Sequence, residues 1–595
     1  MRVRVVLPRV ALAVLAVLAV LTVMPGCAKR LPLAGPSSND VFDRLTGEYL
    51  HAYFAAHPVR STLLGIHHHD AKLPDPSREA VRVRIDRLHG WLERVLAINP
   101  AGLIGNAVYD HRILEYAIRA ELLELEEIRG WARNPMQYNR LIADGIASLI
   151  DRDFAPLDAR LESLMSRLEQ VPRIIELAHQ NLSDVPRRWA ELAIRSTRGT
   201  VRFLRADAAA ALDAQGLHRL DPELVSRWKK LHRKSVERLE RFVVWMEEDL
   251  LPRATGNFRL GRELFERKLL YEEHFTLNAD ELQEINQQAI EVYQEWVVRE
   301  AARIDDGRSA AAVMESLTSR YPSPEELLPT ARRYVEEARD FILDNQIVTM
   351  PSEALPVVRP TPEYARSGFA SMSTPGPFED ETTQAYYNIT NVAPDWDDEQ
   401  KQQHLTYFNY PGLLGISVHE AMPGHYVQLL YQSQIPTNLR KVFAPSTLVE
   451  GWAHYAEQMM IDEGLGNGDP SVRLGQLRRA LQRHARWDAA LSMHVYGATV
   501  EETAGRFEEI AFFAPFPALR ETKRGTYDPT YLYYALGRME IFRLREDYRS
   551  YVENRGEVFS LRDFHDRFLK LGLPIPLARR ALMPDDGGTA VATGD

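Results

Sequence analysis

The chain has 595 residues, 45% hydrophobic and 26% charged, with a net charge of −11. This is a globular composition with length enough for large cores, and its acidic balance excludes nucleic-acid binding driven by overall positive charge. Cys27 is the single cysteine, so no intrachain disulfide can form and the fold must rest on packing.

The N-terminus reads as a leader. Arg2, Arg4 and Arg9 precede and flank an apolar run from Val10 to Val23, and Gly26-Cys27 follows. Positive charge ahead of a short apolar run is the pattern of an export signal, and the run is shorter than the ~20 residues of a membrane span. Residues 1–26 are expected to be a signal peptide and 27–40 a tether. Cys27 stands where a lipoprotein signal places its acylated residue, although Met24 and Pro25 depart from the usual lipobox. The expected location is outside the cytoplasm, periplasmic or cell-surface, with the membrane held through a lipid on Cys27.

Residues 41–345 carry helical periodicity. Leu224, Trp228, Leu231, Ser235, Leu239 and Phe242 recur at steps of three and four, which is one face of an α-helix. Arg227, Lys229, Lys230, Arg233 and Lys234 interleave with that stripe and read as its solvated face. Leu157, Leu161, Leu164 and Leu168 repeat the pattern, and Pro172 is expected to interrupt it. His67, His68, His69 and Asp70 are consecutive, so no regular element can aim them all at one ion. They read as an exposed loop.

The texture changes near residue 346. Residues 346–410 are rich in proline and contain short β-type runs such as Ala385 to Ile389, which predict two or three strands joined by loops. Helical pattern resumes over 411–582, and 583–595 read as a disordered tail. The expected fold is mainly α with a small β insert, forming one large cleft-bearing helical unit.

The chemistry gathers in "GISVHEAMPGHYVQLLY", residues 415–431. In the zinc motif H-E-x-x-H the histidines stand four apart on one helical face, with the glutamate as general base. Here His419 and His425 stand six apart, so an unbroken helix would aim them about 240° apart around its axis. Pro423 offers no N–H to the His419 carbonyl, and Gly424 permits backbone angles closed to other residues. A local bulge over these two residues is expected to return both imidazoles to one side, beside Glu420 as base.

A catalytic zinc takes three protein ligands and water. Further along, Glu450, His454 and Glu457 share one helical face. Their surround of Leu448, Val449, Trp452, Ala453 and Ala456 makes unpaired carboxylates costly, and a divalent cation would satisfy them. This favours Glu450 as third ligand and leaves Glu457 as the alternative. Glu457 and His454 are otherwise candidates to support a ligand or to meet substrate.

"HEAMPGH" followed by "EGWAHYAE" resembles DUF885, a large bacterial family of unknown function. The resemblance extends over most of the chain beyond the leader. "FAAHPVRSTLLGIHHHDAKLPDPS" is similar to the family's N-terminal end and "DPTYLYYALGRMEIFRLRED" to its C-terminal helix. The family in turn resembles gluzincin-type metallopeptidases, which are mainly helical and cleft-containing. That resemblance implies one zinc per chain on His419, His425 and Glu450, with Glu420 as catalytic base. It also implies a late tyrosine as oxyanion donor, Tyr534 first, with Tyr533, Tyr527 and His454 competing. An aspartate is expected four residues before His494, where this chain has Ala490, with Asp488 nearby but out of phase. Arg545 is a candidate for a substrate carboxylate or, more simply, for an ion pair with neighbouring acids.

The function expected from these readings is zinc-dependent hydrolysis of peptides or small amides. The alternatives are a zinc amidase acting on cell-wall fragments and a non-catalytic exported binding lipoprotein. The strands near Ala385 to Thr390 offer edge pairing to an extended peptide.

Overall fold

The computed structural model describes residues 37–362, 366, 368–379, 384–393 and 396–584. The leader over 1–26, Cys27 and the tail from 585 onward lie outside the described residues. The first helix, Ser38–Ala56, begins within the segment expected as tether. Its start is specified locally: the Ser37 hydroxyl accepts from the Asp40 N–H at 3.2 Å, and Asp40 accepts from the Ser37 N–H at 3.0 Å. At the other end Met583 is buried in the main core, so packing extends one residue into the expected tail.

Helices make up most of the chain, with one three-stranded sheet among the described residues. The strands are β1 (Val357–Pro360), β2 (Ala370–Ser373) and β3 (Tyr386–Ile389), in the order β1-β3-β2. β3 runs parallel to β1 and antiparallel to β2. Tyr387 and Ile389 alternate along β3 and are both fully buried. The Tyr387 hydroxyl lies 3.3 Å from the Ser417 hydroxyl and ties the sheet to the helix carrying His419.

The largest core draws on both ends of the chain, from Phe42 through the sheet to Met583. A second core lies within Val59 to Ala254, and a third joins Ile290 to Leu317 with Leu474 to Ala518. In the helix Pro222–Trp245, Trp228, Ser235, Leu239 and Phe242 are buried and all five basic residues are exposed, as their spacing predicts.

Two local expectations are corrected. The helix Leu157–Asn181 runs through Pro172 rather than stopping there. Pro172 leaves the Leu168 carbonyl without its helical donor, and the Ser235 hydroxyl of the neighbouring helix points at that oxygen from 3.5 Å. The triple histidine does lie in a loop, but Asp70 is buried. It accepts from the Thr62 hydroxyl at 2.6 Å and lies 2.9 Å from His67 Nδ1.

Candidate metal centre

Four helices build the centre. The histidine helix spans Tyr410–Glu420, opening on Asn409, whose side chain accepts from the Gly412 N–H at 2.9 Å. Its continuation spans His425–Gln432. The glutamate helix spans Ser446–Asp462 and the arginine helix Pro470–His494.

The two inserted residues do not bulge a continuous helix. They end one helix at Glu420 and start another at His425, through a turn in which the Met422–Pro423 peptide is cis. The Gly424 N–H bonds to the Val418 carbonyl at 3.0 Å. A Cβ on Gly424 would stand 1.8 Å from the His419 carbonyl oxygen, so this close approach requires glycine. From the other side, Trp452 Nε1 of the glutamate helix donates to the Pro423 carbonyl at 2.8 Å. The result is the convergence that the spacing alone denied, with the imidazole centroids 4.8 Å apart at 85°.

Glu450 completes the group. Its Oε2 lies 3.6 Å from His419 Nε2 and 3.5 Å from His425 Nε2. These residues are the one cluster of metal-ligating type among the described residues whose ligand atoms fall within 4.8 Å of one another. Tetrahedral zinc with bonds of ~2.0–2.2 Å holds its ligand atoms roughly 3.3–3.5 Å apart, so the donor set fits such an ion. The electrostatics agree. Burial pushes the Glu450 carboxyl up, but His425 beside it and the bonds from both imidazoles reverse this and hold it below its ordinary value. Burial lowers His425, and the Glu450 charge more than compensates and raises it. The carboxylate is thus held ionised beside the two rings.

The choice between Glu450 and Glu457 follows from which imidazole nitrogen each meets. Glu457 lies 2.7 Å from His419 Nδ1, on the side of the ring away from Glu450. It is almost wholly buried and held by Arg479 at 2.8 and 3.1 Å and by Arg483 at 2.9 Å. Burial would raise its carboxyl; the two guanidinium groups keep it well below the carboxylate range. An ionised Glu457 accepts a hydrogen bond from the His419 Nδ1–H, which keeps the proton on Nδ1 and leaves the Nε2 lone pair on the side of Glu450 and His425. Arg479 and Arg483 were missed in the sequence reading, although their four-residue spacing puts them on one helical face.

A further missed residue is Glu273, at the end of the helix Arg262–Glu273. The glutamate helix has no side-chain cap of its own. Buried Glu273 instead accepts from the Ser446 and Thr447 N–H groups at 3.0 and 2.8 Å and from the Thr447 hydroxyl at 2.5 Å. It fixes the turn that presents Glu450.

The remaining candidates are placed as follows. Glu420 is half-buried beside His419 and makes no hydrogen bond or ion pair among the described residues. Tyr534 stands at the start of the helix Tyr533–Glu553, and the Glu450 charge together with burial raises its phenol. That helix packs on the glutamate helix at Gly451 and Gly537, where a Cβ on Gly537 would meet the Thr447 carbonyl at 2.1 Å. His454 is fully buried, its Nδ1 3.4 Å from the Tyr534 carbonyl and its Nε2 unpartnered. Burial, with Arg483 and Arg538 nearby, keeps it neutral. Tyr533 points away and donates to Glu272 at 3.2 Å. Tyr527 lines a separate cavity. Asp488 is buried against Arg506, and Ala490 is also buried. Arg545 pairs with Glu546 at 2.9 Å and meets the Tyr455 hydroxyl at 3.4 Å.

Fold and site define a mainly helical protein with a small β insert, in which a broken helix and a facing helix gather two imidazoles and a carboxylate. The chain belongs to the family described as "Bacterial protein of unknown function (DUF885)", which matches residues 58–582. Two solved structures share its fold. One, described as "a putative lipoprotein of unknown function from Shewanella oneidensis", is 24% identical with a TM-score of 0.73, covering 92% of this chain and 100% of that one. The other, "the putative lipoprotein from Colwellia psychrerythraea", is 18% identical with a TM-score of 0.75, covering 92% and 98%. No curated protein matches the chain.

Proposed function

We propose that this protein is a zinc-dependent hydrolase of peptide or small amide bonds, in the manner of gluzincin metallopeptidases. The observation that carries the reading is the meeting of both Nε2 atoms with one Glu450 oxygen at 3.6 and 3.5 Å, backed by Glu457 on His419 Nδ1. Bound by His419, His425 and Glu450, one zinc per chain supplies a Lewis acid and an acidified water.

The chain's own residues do the rest. Glu420 is uncommitted and partly open to solvent, so it is free to take a proton from the attacking water and deliver it to the leaving amine. The Tyr534 phenol, kept protonated by the neighbouring carboxylate, donates to the oxyanion. Glu457 positions His419 and the arginines position Glu457. β2 is an edge strand lying against the histidine helix, which suits pairing with an extended peptide.

Export and lipid anchoring through Cys27 are supported by the leader pattern and by the lipoprotein descriptions of the two structural relatives. No helix among the described residues is long and apolar enough to cross a membrane. Detergent partition before and after Cys27→Ala tests the anchor.

The activity test uses purified protein, zinc analysis and a library of peptides and cell-wall fragments. Glu420→Gln keeps its zinc and loses hydrolysis by ~10²–10⁴-fold. Zinc-loaded wild type that cleaves no amide in the library refutes the hydrolase. A metal-free protein with unchanged folding and function points to a binding lipoprotein instead.

A further inference from the structure

The arginine helix continues past Arg479 and Arg483 to Arg486, which shares their face. The Arg486 guanidinium lies 5.8 Å from the centre of the Tyr534 ring and 5.2 Å from that of Tyr531. A second guanidinium, that of Arg524 on the helix Pro515–Gly525, approaches the Tyr531 ring at 5.1 Å. Arg520, one turn earlier on that helix, stands 5.4 Å from the Phe369 ring, and Phe369 immediately precedes the edge strand β2. Three arginines from two helices therefore gather beside β2 and Tyr534.

This cationic face adjoins the metal centre. The Tyr534 carbonyl oxygen lies 3.4 Å from Nδ1 of His454, one helical turn on from Glu450. One turn after Tyr534, Gly537 packs on Gly451, the neighbour of Glu450. A Cβ on Gly451 would stand 2.6 Å from the Gly537 Cα. The Tyr534 phenol accordingly has Glu450, Arg486, Arg524 and Asp528 as its charged neighbours.

Among the three arginines the charges do not cancel. Glu521 is committed to Arg486 at 2.8 Å. Asp528 lies 3.7 Å from Arg524 but accepts hydrogen bonds from the Thr530 N–H and hydroxyl, at 3.3 and 2.5 Å. Arg520 is exposed and makes no ion pair or hydrogen bond among the described residues. Three cations against these two carboxylates leave a positive surplus, and 41% of the Arg524 side chain is open to solvent. Arg545, expected as a candidate for a substrate carboxylate, is instead committed to Glu546.

We propose that this face receives the free carboxylate at the C-terminal end of a peptide substrate, with Arg524 as its main partner and Arg520 in support. The forked N–H donors of a guanidinium match a carboxylate. One residue spans at most ~3.6 Å, so a terminus held beside the Tyr534 ring lies about one or two residues beyond the bond that is cut. A peptide paired antiparallel to β2 brings that same end toward Phe369 and Arg520. The enzyme would thus trim peptides from the C-terminal end.

The assignment rests on the hydrolase reading, and its test separates the two. The probes are acetylated tetra-alanine with a free C-terminus, its C-terminal amide, and that amide with glutamate as the last residue. Calorimetry measures their binding to the zinc-loaded Glu420→Gln protein, and mass spectrometry of wild-type digests shows which bond is cut.

The free acid should bind about tenfold or more tighter than either amide and be shortened from its C-terminal end. Adding Arg524→Gln should bring the acid and the plain amide to near equality. Arg520→Gln, at an exposed position, should narrow the gap and covers the case of a poorly folded Arg524 variant. Equal binding of acid and plain amide, equal binding of the acid and the glutamate amide, or a preference that survives both substitutions overturns the assignment. Selective binding of the acid without hydrolysis of any peptide leaves the carboxylate site standing and removes the hydrolase. Cleavage of acid and amides alike does the reverse.

Discussion

Gly424→Ala puts the broken helix under direct test. The added methyl would stand 1.8 Å from the His419 carbonyl oxygen and 2.4 Å from that of Val418. Comfortable contact needs ~3.5 Å, so the turn must open by roughly 1.7 Å. It is not free to do so: Trp452 holds the Pro423 carbonyl from the glutamate helix, and Gly424 caps the helix that begins at His425. The displacement therefore passes to the imidazoles. Metal sites tolerate about 0.2 Å in ligand distance, and an error of ~1 Å in placement can cost ~10²-fold. Zinc affinity should fall by ~10²-fold or more, about 2.7 kcal/mol, with hydrolysis falling in step. The assay is zinc retention against a competing chelator, read with far-ultraviolet circular dichroism to confirm that the helices remain. Gly47→Ala is the control: nothing lies within 4 Å of its Cβ, so it should leave zinc untouched and add ~0.4–1 kcal/mol of stability. A Gly424→Ala protein with zinc affinity within about twofold of wild type would refute the close-approach argument.

Three further outcomes are expected. Glu457→Gln should weaken zinc by ~10–100-fold in the same competition, because His419 loses the acceptor that fixes its tautomer; an unchanged affinity would remove Glu457 from the site. Glu273→Ala should cost ~1–2 kcal/mol in urea unfolding by uncapping the glutamate helix, and Glu273→Gln, which keeps one acceptor oxygen, should cost less. Acid should destabilise the fold through buried neutral histidines: burial lowers both His494 and His565 to about 4. Each is below the ~6.5 of an unfolded histidine, so its contribution is present above pH ~6.5 and is lost as pH falls toward 4, up to ~3 kcal/mol apiece. A urea midpoint unchanged between pH 7 and 5 would contradict this.

How much was legible beforehand depended on the range of the interaction. Periodicity revealed the face of the helix Pro222–Trp245 because burial follows a local 3.6-residue repeat. It gave the wrong outcome at Pro172, since the Ser235 hydroxyl near the freed carbonyl comes from another helix. The histidine–glutamate stretch announced its residue types but suggested a bulge where two helices meet at a glycine-dependent turn. Glu450 and Glu457 share a face, so spacing alone could not assign them. The distinction lies in which side of the His419 ring each approaches, a matter of how the helices cross. Glu273 carried no signal, because its partners lie more than 170 residues away.

Glu273 also bears on how far the chain can be divided. The helix that offers Glu450 cannot satisfy its own opening amides; a side chain from the preceding half does so. Cutting the polypeptide near residue 345 would leave both His419 and Glu450 on the downstream fragment yet strip the latter's scaffold of its anchor. Chimeras with relatives should accordingly exchange both segments together, since neither is a self-sufficient module.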